Sequence, residues 1–507
     1  MYRRPPRKPE IKVTRVATAL AILAFVGAGV VSAVRRPASA GPDHEEARSS
    51  RTGAAAAADA TKAKPAGRTP RLRLGKMALA GQRFEAPLFD GGRAELTLSP
   101  AMQAMADEVL AKYPIPFAAA AVVSVPDGQV LVLSGKSLAA PELGPADLAL
   151  RPWAPAASIF KLVSAAALLE RKGVGAKTKV CYHGGLRGIQ KEHLVDNPRL
   201  DRDCDSLAYG VAKSQNSILA KLAHRYLDRE RLGRAAAAFG FGAEIPFAGE
   251  LYPSDAFMPS DDLELARAAA GFWHSSLSVL HGALIAAAIG NEGRMPLPRI
   301  IAAAHDRQGR ARLLAAGGES ADPKPRPTIS PAVARAIGEM MVETTTKGTA
   351  RSHFFDRRGR RYLPVEVAGK TGSLDYRGEA GDPAPPAPWP ERGYLHYNWF
   401  VGYAPATKPE VAFAVVLGNP AKWHIKAPYV ARRLIEAYLA EKAASPEPEL
   451  VAEAAADSAA GPASTEAAAG ATSASAGQAP ANAPGLPGQW RGAEGPDPAP
   501  RADHAAR

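Results

Sequence analysis

The chain has 507 residues, with 63 lysines and arginines against 50 aspartates and glutamates, and a formal net charge of +13. This length suits one large domain or two ordinary ones. The two cysteines, Cys181 and Cys204, do not form a C-x-x-C pair, which excludes the redox and zinc motifs that depend on one. The positive charge is spread along the chain, with a first concentration at the N-terminus, and we predict no nucleic-acid partner.

An uncharged apolar segment over residues 16–34 is the first element in the chain. At about 1.5 Å per residue, a helix of this length nearly spans a bilayer core of roughly 30 Å. The positive-inside rule places a basic flank in the cytoplasm, so residues 1–34 are predicted to be a cytoplasmic N-terminus and a transmembrane signal anchor. A cleaved signal peptide ending at Ala38-Ser39-Ala40 is the alternative, but the length of the run favours an anchor. The residues of that basic flank are Arg3, Arg4, Arg7, Lys8, Lys12 and Arg15.

Composition divides the rest of the chain. Residues 35–83 are rich in Ala, Arg, Pro and Gly and are predicted to be a flexible tether. Residues 443–507 are mostly Ala, Pro, Gly, Ser and Glu, and are predicted to be disordered. The folded domain should therefore span residues 84–442. The predicted location is the cytoplasmic (inner) membrane, crossed once, with this domain on the extracytoplasmic or periplasmic side.

The predicted elements of the folded domain begin with a helix capped by Ser99 and a hairpin turning at residues 126–128. A helix from Ala156 and a mainly helical stretch over 206–290 follow, and then a helix capped by Ser330. Three strands at 363–374, 396–405 and 411–419 precede a closing amphipathic helix. This order predicts an α+β fold, in which one antiparallel sheet formed by both chain ends is flanked by helices and interrupted by a helical insertion.

The two cysteines lie in one region that resembles a loop. In an exported domain they meet an oxidising compartment, where a Cys181–Cys204 bridge would close a loop of roughly 24 residues and contribute about 3 kcal/mol. Two unpaired, buried thiols are the alternative, and we favour the bridge.

Three short motifs could carry chemistry. Ser158 and Lys161 stand three residues apart in an apolar helix, so they share one face, and burial would lower the pKa of the lysine and make its amine a base for the serine. Ser214 and Asn216 flank a helix start, where capping by Ser214 is the structural alternative to a proton relay and an amide clamp. Lys370-Thr371-Gly372 lies at the predicted end of a strand, where it could grip a carboxylate. A Walker A loop is excluded there because Pro364 occupies the position of its first glycine.

Ser-x-x-Lys, Ser-x-Asn and Lys-Thr-Gly in this order are the signature of penicillin-binding proteins and serine β-lactamases. The chain resembles that superfamily, and more closely the transpeptidase domain of penicillin-binding proteins, over roughly residues 96–438. Further similar stretches are ELTLSPAMQAMADEVL, GFGAEIPFAGE, SVLHGALIAAAIGNEGRMPLPRII, MMVETTTKGTA and NWFVGYAP.

The resemblance implies a role for each motif residue. Ser158 would attack the carbonyl of a D-Ala-D-Ala stem peptide while Lys161 takes its proton. Ser214 would relay a proton to the leaving D-alanine, and Asn216 would bind the peptide amide. The implied carboxylate and oxyanion contacts come from Lys370, Thr371, Gly372 and Ser373, with the backbone N–H groups of Ser158 and Ser373 forming the oxyanion hole.

The implied activity is a membrane-anchored serine D,D-transpeptidase that cross-links peptidoglycan. Its partners would be stem peptides, β-lactam antibiotics, the cytoplasmic membrane and cell-wall synthesis proteins, and no cofactor or metal is implied. A D,D-carboxypeptidase or β-lactamase is the nearest alternative, and a non-catalytic peptidoglycan-binding scaffold is the other.

Several features differ from the family pattern. The region before the folded domain resembles a tether, so no glycosyltransferase or pedestal domain is expected there. Ser373 replaces the threonine that commonly follows Lys-Thr-Gly. A Pro-rich insertion over 377–393 separates two strands, and we expect it to be a flexible insertion more than a cover for the site. His183 and His274 are expected to be structural.

Overall fold

A computed structural model describes residues 71–186, 188–312, 324–377 and 394–444. The predicted anchor at 1–34, the tail from 445 and most of the predicted tether and Pro-rich insertion lie outside these ranges. Within them, no helix combines the length and the apolar character needed to cross a membrane.

The strands in chain order are β1 (Ala78–Ala80), β2 (Arg83–Pro87), β3 (Arg93–Leu96), β4 (Phe117–Ser124), β5 (Val130–Ser137), β6 (Ala154–Pro155), β7 (Lys179–Tyr182), β8 (Asp203–Ser206), β9 (Ser276–Leu277), β10 (Arg294–Met295), β11 (Ile301–His305), β12 (Ala311–Arg312), β13 (Arg326–Pro327), β14 (Ala368–Tyr376), β15 (Leu395–Ala404) and β16 (Val411–Asn419).

The helices in chain order are α1 (Pro100–Ala111), α2 (Pro145–Leu150), α3 (Phe160–Leu169), α4 (Leu207–Ala212), α5 (Asn216–Tyr226), α6 (Arg229–Ala238), α7 (Asp262–Ala269), α8 (Val279–Gly290), α9 (Pro331–Thr346), α10 (Arg351–Phe354) and α11 (Ala427–Ala444).

The central sheet has the strand order β14-β15-β16-β4-β5, and every neighbouring pair is antiparallel. Strands β4 and β5 come from the N-terminal part of the domain, and the other three come from its C-terminal part. This arrangement confirms the predicted α+β fold with one sheet built from both chain ends around a helical insertion. A second sheet has the order β1-β2-β3-β11-β12.

Two apolar layers enclose the central sheet. Helix α8 packs on β16 and β4 from one side, and α1 and α11 cover the other. Side chains alternate along β15, so Trp399 and Val401 join the core on the α8 side while Phe400 joins the core that includes α11. The edge strand β14 pairs with β15 along its whole length, from Ala368 to Tyr376.

The predicted caps and hairpin are present. Ser99 accepts a hydrogen bond from Met102 N at 3.1 Å, and the Ser330 side chain accepts one from Val333 N, which confirms both helix starts. In the turn between β4 and β5, Asp127 accepts a hydrogen bond from Gln129 N, and Gly128 has a φ of 73°.

The folded region starts earlier than predicted. Leu72 and Leu74 are buried, Leu72 N donates to Ala248 O at 3.0 Å, and β1 lies within the stretch 35–83 that was expected to be a tether. The alternation of leucine with basic residues in RLRLGK presents one apolar side, and this pattern explains why the stretch packs on the domain.

Strand β14 is shifted relative to the prediction. It begins at Ala368 and not at 363: Pro364 cannot donate to a ladder, and Ala368 is the first residue of this strand that pairs with β15, opposite Tyr403. Lys370 is thus near the start of the strand, and Asp375 and Tyr376, which lie beyond the predicted strand 363–374, belong to it.

Candidate active site

Ser158 stands in a strained turn in front of α3. The residue before it, Ala157, has a φ of 48°, in the left-handed region that non-glycine residues rarely adopt. A 3-10 turn over Ala157–Ile159 then leads into α3, so the predicted helix start at Ala156 is replaced by this turn. Gly271, with a φ of 83°, packs against the turn so closely that a Cβ there would lie 2.3 Å from Ala157 O. The turn and Gly271 together fix the serine.

Lys161 is fully buried and lies 2.7 Å from Ser158 Oγ. Its Nζ also donates to Asn216 Oδ1 at 2.8 Å and to Ala270 O at 2.6 Å. Those two oxygens can only accept, so a neutral amine can give them its two hydrogens and accept the serine proton with its lone pair. Burial lowers the pKa of Lys161 well below its ordinary value, and the positive charge of Lys370 lowers it further. The site therefore favours the neutral amine that a base requires.

The Asn216 side chain is held from both ends. Its oxygen accepts from Lys161, and its Nδ2 donates to Leu186 O at 3.0 Å and Gly185 O at 3.3 Å. Asn216 also lines the cleft in front of Ser158. Its implied role of binding a substrate amide stays a prediction.

Ser214 does not cap α5, because the N-cap residue is Gln215 and that helix has no side-chain cap bond. Ser214 instead adopts a φ of 55° and accepts a hydrogen bond from Lys370 Nζ at 2.8 Å. Its structural alternative, helix capping, is therefore wrong. Ser214 is thus the second non-glycine motif-segment residue, after Ala157, whose backbone has a left-handed φ.

Lys370 is fully buried, with its Nζ bonded to Ser214 and to Thr371 O at 2.7 Å. Burial lowers the pKa of Lys370 to about 7. The sequence placed Lys370 at the end of a strand; it lies instead near the start of β14, and its amine is buried against Ser214.

The remaining motif residues line or support the cleft. Thr371 Oγ1 lies 2.5 Å from Thr349 Oγ1, and exposed Ser373 has Asn398 Nδ2 at 3.4 Å. A Cβ on Gly372 would lie 3.1 Å from Trp399 Cβ and 3.3 Å from Ile159 Cγ1, so this glycine accommodates the protein's own side chains. The cleft, about 360 Å³ in volume, is bordered by Ser158, Ser214, Asn216, Thr371 and Ser373.

Outside the cleft, Cys181 and Cys204 form a disulfide between β7 and β8. His183 Nδ1 lies 2.5 Å from Asp201 Oδ1, and His274 Nε2 lies 3.2 Å from Glu264 Oε2. Neither histidine is among the residues that border the cleft.

Sequence reasoning missed three residues outside the motifs that contact the motif residues. The carbonyl of Ala270 accepts from Lys161, Gly271 supports the Ser158 turn, and Thr349 contacts Thr371. The one signal in the sequence was Gly271, which follows the Ala-rich end of α7 and is typical of a tight turn after a helix. A glycine in that position does not indicate that it packs against Ala157.

The model of the penicillin-binding protein transpeptidase domain matches residues 118–436, more than half of the chain. The chain belongs to the penicillin-binding protein transpeptidase family. This membership agrees with the resemblance that the three motifs imply.

A curated family member shows how far this chain has diverged from its relatives. It is 26% identical over 274 residues to the peptidoglycan D,D-transpeptidase PbpA of Mycobacterium tuberculosis, a match that covers 53% of this chain and 50% of that protein. The chain thus spans about half the length of the curated relatives that it matches.

Solved structures of the family share the fold. An imipenem acyl-enzyme complex of penicillin-binding protein A from M. tuberculosis matches with a TM-score of 0.54 and 22% identity, over 69% of this chain and 80% of that one. The D,D-transpeptidase domain of a peptidoglycan glycosyltransferase from Eggerthella lenta matches with a TM-score of 0.53 and 23% identity, over 69% and 84%.

Proposed function

We propose that this chain is a membrane-anchored serine D,D-transpeptidase that cross-links peptidoglycan stem peptides through an acyl-enzyme on Ser158. The observation that carries the proposal is the contact of Ser158 Oγ with a fully buried Lys161 whose other two partners are oxygens that can only accept. Such a lysine serves as a base in its neutral form.

The first step is acylation. Ser158 Oγ attacks the carbonyl carbon of the penultimate D-alanine, and its proton moves to Lys161 Nζ. Backbone N–H groups of Ser158 and Ser373 stabilise the oxyanion, where a preorganised donor typically contributes about 3 kcal/mol or more. Lys370 and Thr371 bind the terminal carboxylate, and the bound anion favours the charged form of Lys370.

The bond to the terminal D-alanine then breaks. Its nitrogen takes a proton through Ser214 Oγ, which already lies 2.8 Å from Lys370 Nζ. The free D-alanine departs and leaves an ester on Ser158. An amine of a neighbouring stem peptide attacks this ester and gives up a proton through Ser214 Oγ to Lys370, which supplied the proton of the previous step. The new amide forms as the bond to Ser158 Oγ breaks, and Ser158 regains its proton from Lys161.

The comparisons support this assignment at the level of the family. The penicillin-binding protein A of M. tuberculosis was solved as acyl-enzyme complexes with imipenem and with penicillin G. We expect the same covalent chemistry here because the three motif segments meet around one cleft.

In the test, the full chain in detergent is incubated with a synthetic peptide that ends in D-Ala-D-Ala and with glycine as the amine acceptor. We expect D-alanine release and a peptide product in which glycine replaces it, and neither with Ser158→Ala. Release of D-alanine without the glycine product would indicate a carboxypeptidase. Rapid turnover of a penicilloyl adduct would indicate a β-lactamase, and the absence of any acylation would indicate a scaffold.

We also propose that residues 1–34 anchor the domain on the periplasmic side of the cytoplasmic membrane. The uncharged segment 16–34 and its basic flank support this orientation. A reporter fused after Arg507 should be active only when exported, and an intact Met1 in purified membranes distinguishes an anchor from a cleaved signal. A cytoplasmic C-terminus would contradict the proposal.

A further inference from the structure

The cleft continues past the third motif into a second cavity. This cavity, about 640 Å³ in volume, shares Asn216 and Ser373 with the cleft and extends to Asp375 and His396. Because side chains alternate along a strand, Asp375 lies on the same face of β14 as Thr371 and Ser373, about 7 Å beyond Ser373. A ligand that binds at Ser373 and follows the strand therefore meets Asp375.

Asp375 is held in place by two donors. His396 stands directly opposite it on β15, and His396 Nδ1 and the Tyr394 hydroxyl, the latter at 3.0 Å, both contact Asp375 Oδ1. Neither contact uses Oδ2, and the side chain of Asp375 is 39% exposed. The carboxylate is thus oriented by the protein, and its Oδ2 has no hydrogen-bond partner within the part of the chain that the structure describes.

His396, the histidine partner of Asp375, is itself buried. The residue is 5% exposed and lines the second cavity, and its Nε2 has no hydrogen-bond partner among the residues that the structure describes. Since a carboxylate only accepts, the proton of the neutral ring lies on Nδ1, and Nε2 is an acceptor. Nε2 itself is buried, so the part of His396 in the site is to orient Asp375 through Nδ1.

The surroundings of His396 favour its neutral ring. Burial lowers the pKa of His396 although the bond to Asp375 raises it, and the charge of Lys426 lowers it further. The ring of Trp423 stacks on His396 at 3.9 Å, and Lys426 Nζ lies 5.3 Å from the centre of that Trp423 ring. A neutral imidazole does not cancel the charge of the carboxylate. Among the residues that the structure describes, Arg377 is the other charged side chain that borders this cavity.

We propose that Asp375, oriented by His396 and Tyr394, binds a side-chain ammonium group of a stem peptide. The inference rests on the proposed function, because cross-linking joins a carbonyl of one stem to an amine of another, so stem peptides carry such an amine. The ammonium can belong to the stem that acylates Ser158 or to the stem that accepts it, and the chemistry of the contact is the same.

The experiment measures binding with the full chain carrying Ser158→Ala, so that no turnover is needed. Two fluorescent peptides end in D-Ala-D-Ala and carry a lysine as third residue, one with a free ε-amine and one with an acetylated amine. We expect about threefold to tenfold tighter binding of the free amine by anisotropy, since Asp375 is partly exposed and a tenfold difference corresponds to about 1.4 kcal/mol. Asp375→Asn should abolish this preference, and Asp375→Glu should retain part of it.

The control is Asp306→Asn, which removes a carboxylate paired with Arg310 beyond the end of β11, outside both cavities. It should leave the preference unchanged. A second arm uses wild-type protein acylated with penicillin and a peptide without D-Ala-D-Ala. A preference that depends on Asp375 in this arm assigns the ammonium to the acceptor, and one seen only in the first arm assigns it to the donor.

An equal preference in the Asp375→Asn variant and its parent, in both arms, would overturn the inference. Failure of the proposed function is recognised separately. It would appear as absent penicillin labelling of the wild-type chain, while binding to the Ser158→Ala variant still reports on the ammonium contact.

Discussion

Lys370 Nζ lies 2.8 Å from Ser214 Oγ, which joins two segments 156 residues apart in the chain. The contact buries the amine and brings its charge close enough to lower the pKa of Lys161. The two buried lysines therefore have different roles. Lys161 must be neutral to act as a base, and Lys370 binds a carboxylate best when it is charged.

This division predicts a bell-shaped pH dependence of acylation. Lys161 must be deprotonated to act as a base, so the rate should rise with pH through the lowered pKa of Lys161. Lys370 has a pKa of about 7 in the free protein, so attraction for a carboxylate should decline above that pH. The measurement is the second-order rate of labelling by a fluorescent penicillin between pH 5 and 10.

The control ligand for this profile is the methyl ester of the same penicillin. Because the ester has no carboxylate, its labelling rate should not decline above the pKa of Lys370. A rate that keeps rising between about pH 7 and 9 for the free acid would contradict the role given to Lys370.

Replacing the base should stop acylation. Lys161→Met keeps a similar volume without an amine, and Lys161→Arg keeps a charge that is not lost at working pH. Both should acylate more slowly by a factor on the order of 10² to 10⁴. Lys136→Arg, on β5 away from the cleft, is the matched control and should label normally. Near-normal labelling of both Lys161 variants, with unchanged melting temperature, would exclude the base role.

The support of the Ser158 turn predicts an unusual effect of a glycine substitution. Gly271→Ala would place a Cβ 2.3 Å from Ala157 O at a φ of 83°, so we expect destabilisation of about 1–3 kcal/mol and much slower acylation. Gly233→Ala, inside helix α6 with its nearest neighbour at 3.6 Å, should instead stabilise by roughly 0.5–1 kcal/mol. Urea unfolding and penicillin labelling measure both effects. Equal behaviour of the two variants would refute the contact.

The sequence predicted the parts of this molecule that depend on local patterns. The caps at Ser99 and Ser330 and the hairpin at Gly128 follow from short-range rules, and the motif order indicated which segments meet. The burial of Lys370 was not predictable, because it depends on the register of β14 and on a serine far away in the chain. The pairing of Asp375 with His396 likewise follows from strand register, which no local pattern specifies.

The disulfide should stabilise the helical insertion. Cys181 and Cys204 are 23 residues apart, and closing such a loop is worth about 3 kcal/mol in the chain-entropy model. The double variant Cys181→Ser/Cys204→Ser should unfold at lower urea, and reductant should lower the midpoint of the wild type but not of the variant. A midpoint that neither change affects would show that the bridge does not form in the protein as purified.

The most direct test of the account is the mass of the peptide that carries Ser158 after treatment with benzylpenicillin. Tryptic digestion of the full chain should reveal the added mass of the intact antibiotic on that peptide. The Ser158→Ala variant, folded to the same melting temperature, should carry no adduct. An adduct that persists in Ser158→Ala, or wild-type protein that remains unmodified at saturating penicillin, would contradict the claim that Ser158 is the acylated nucleophile.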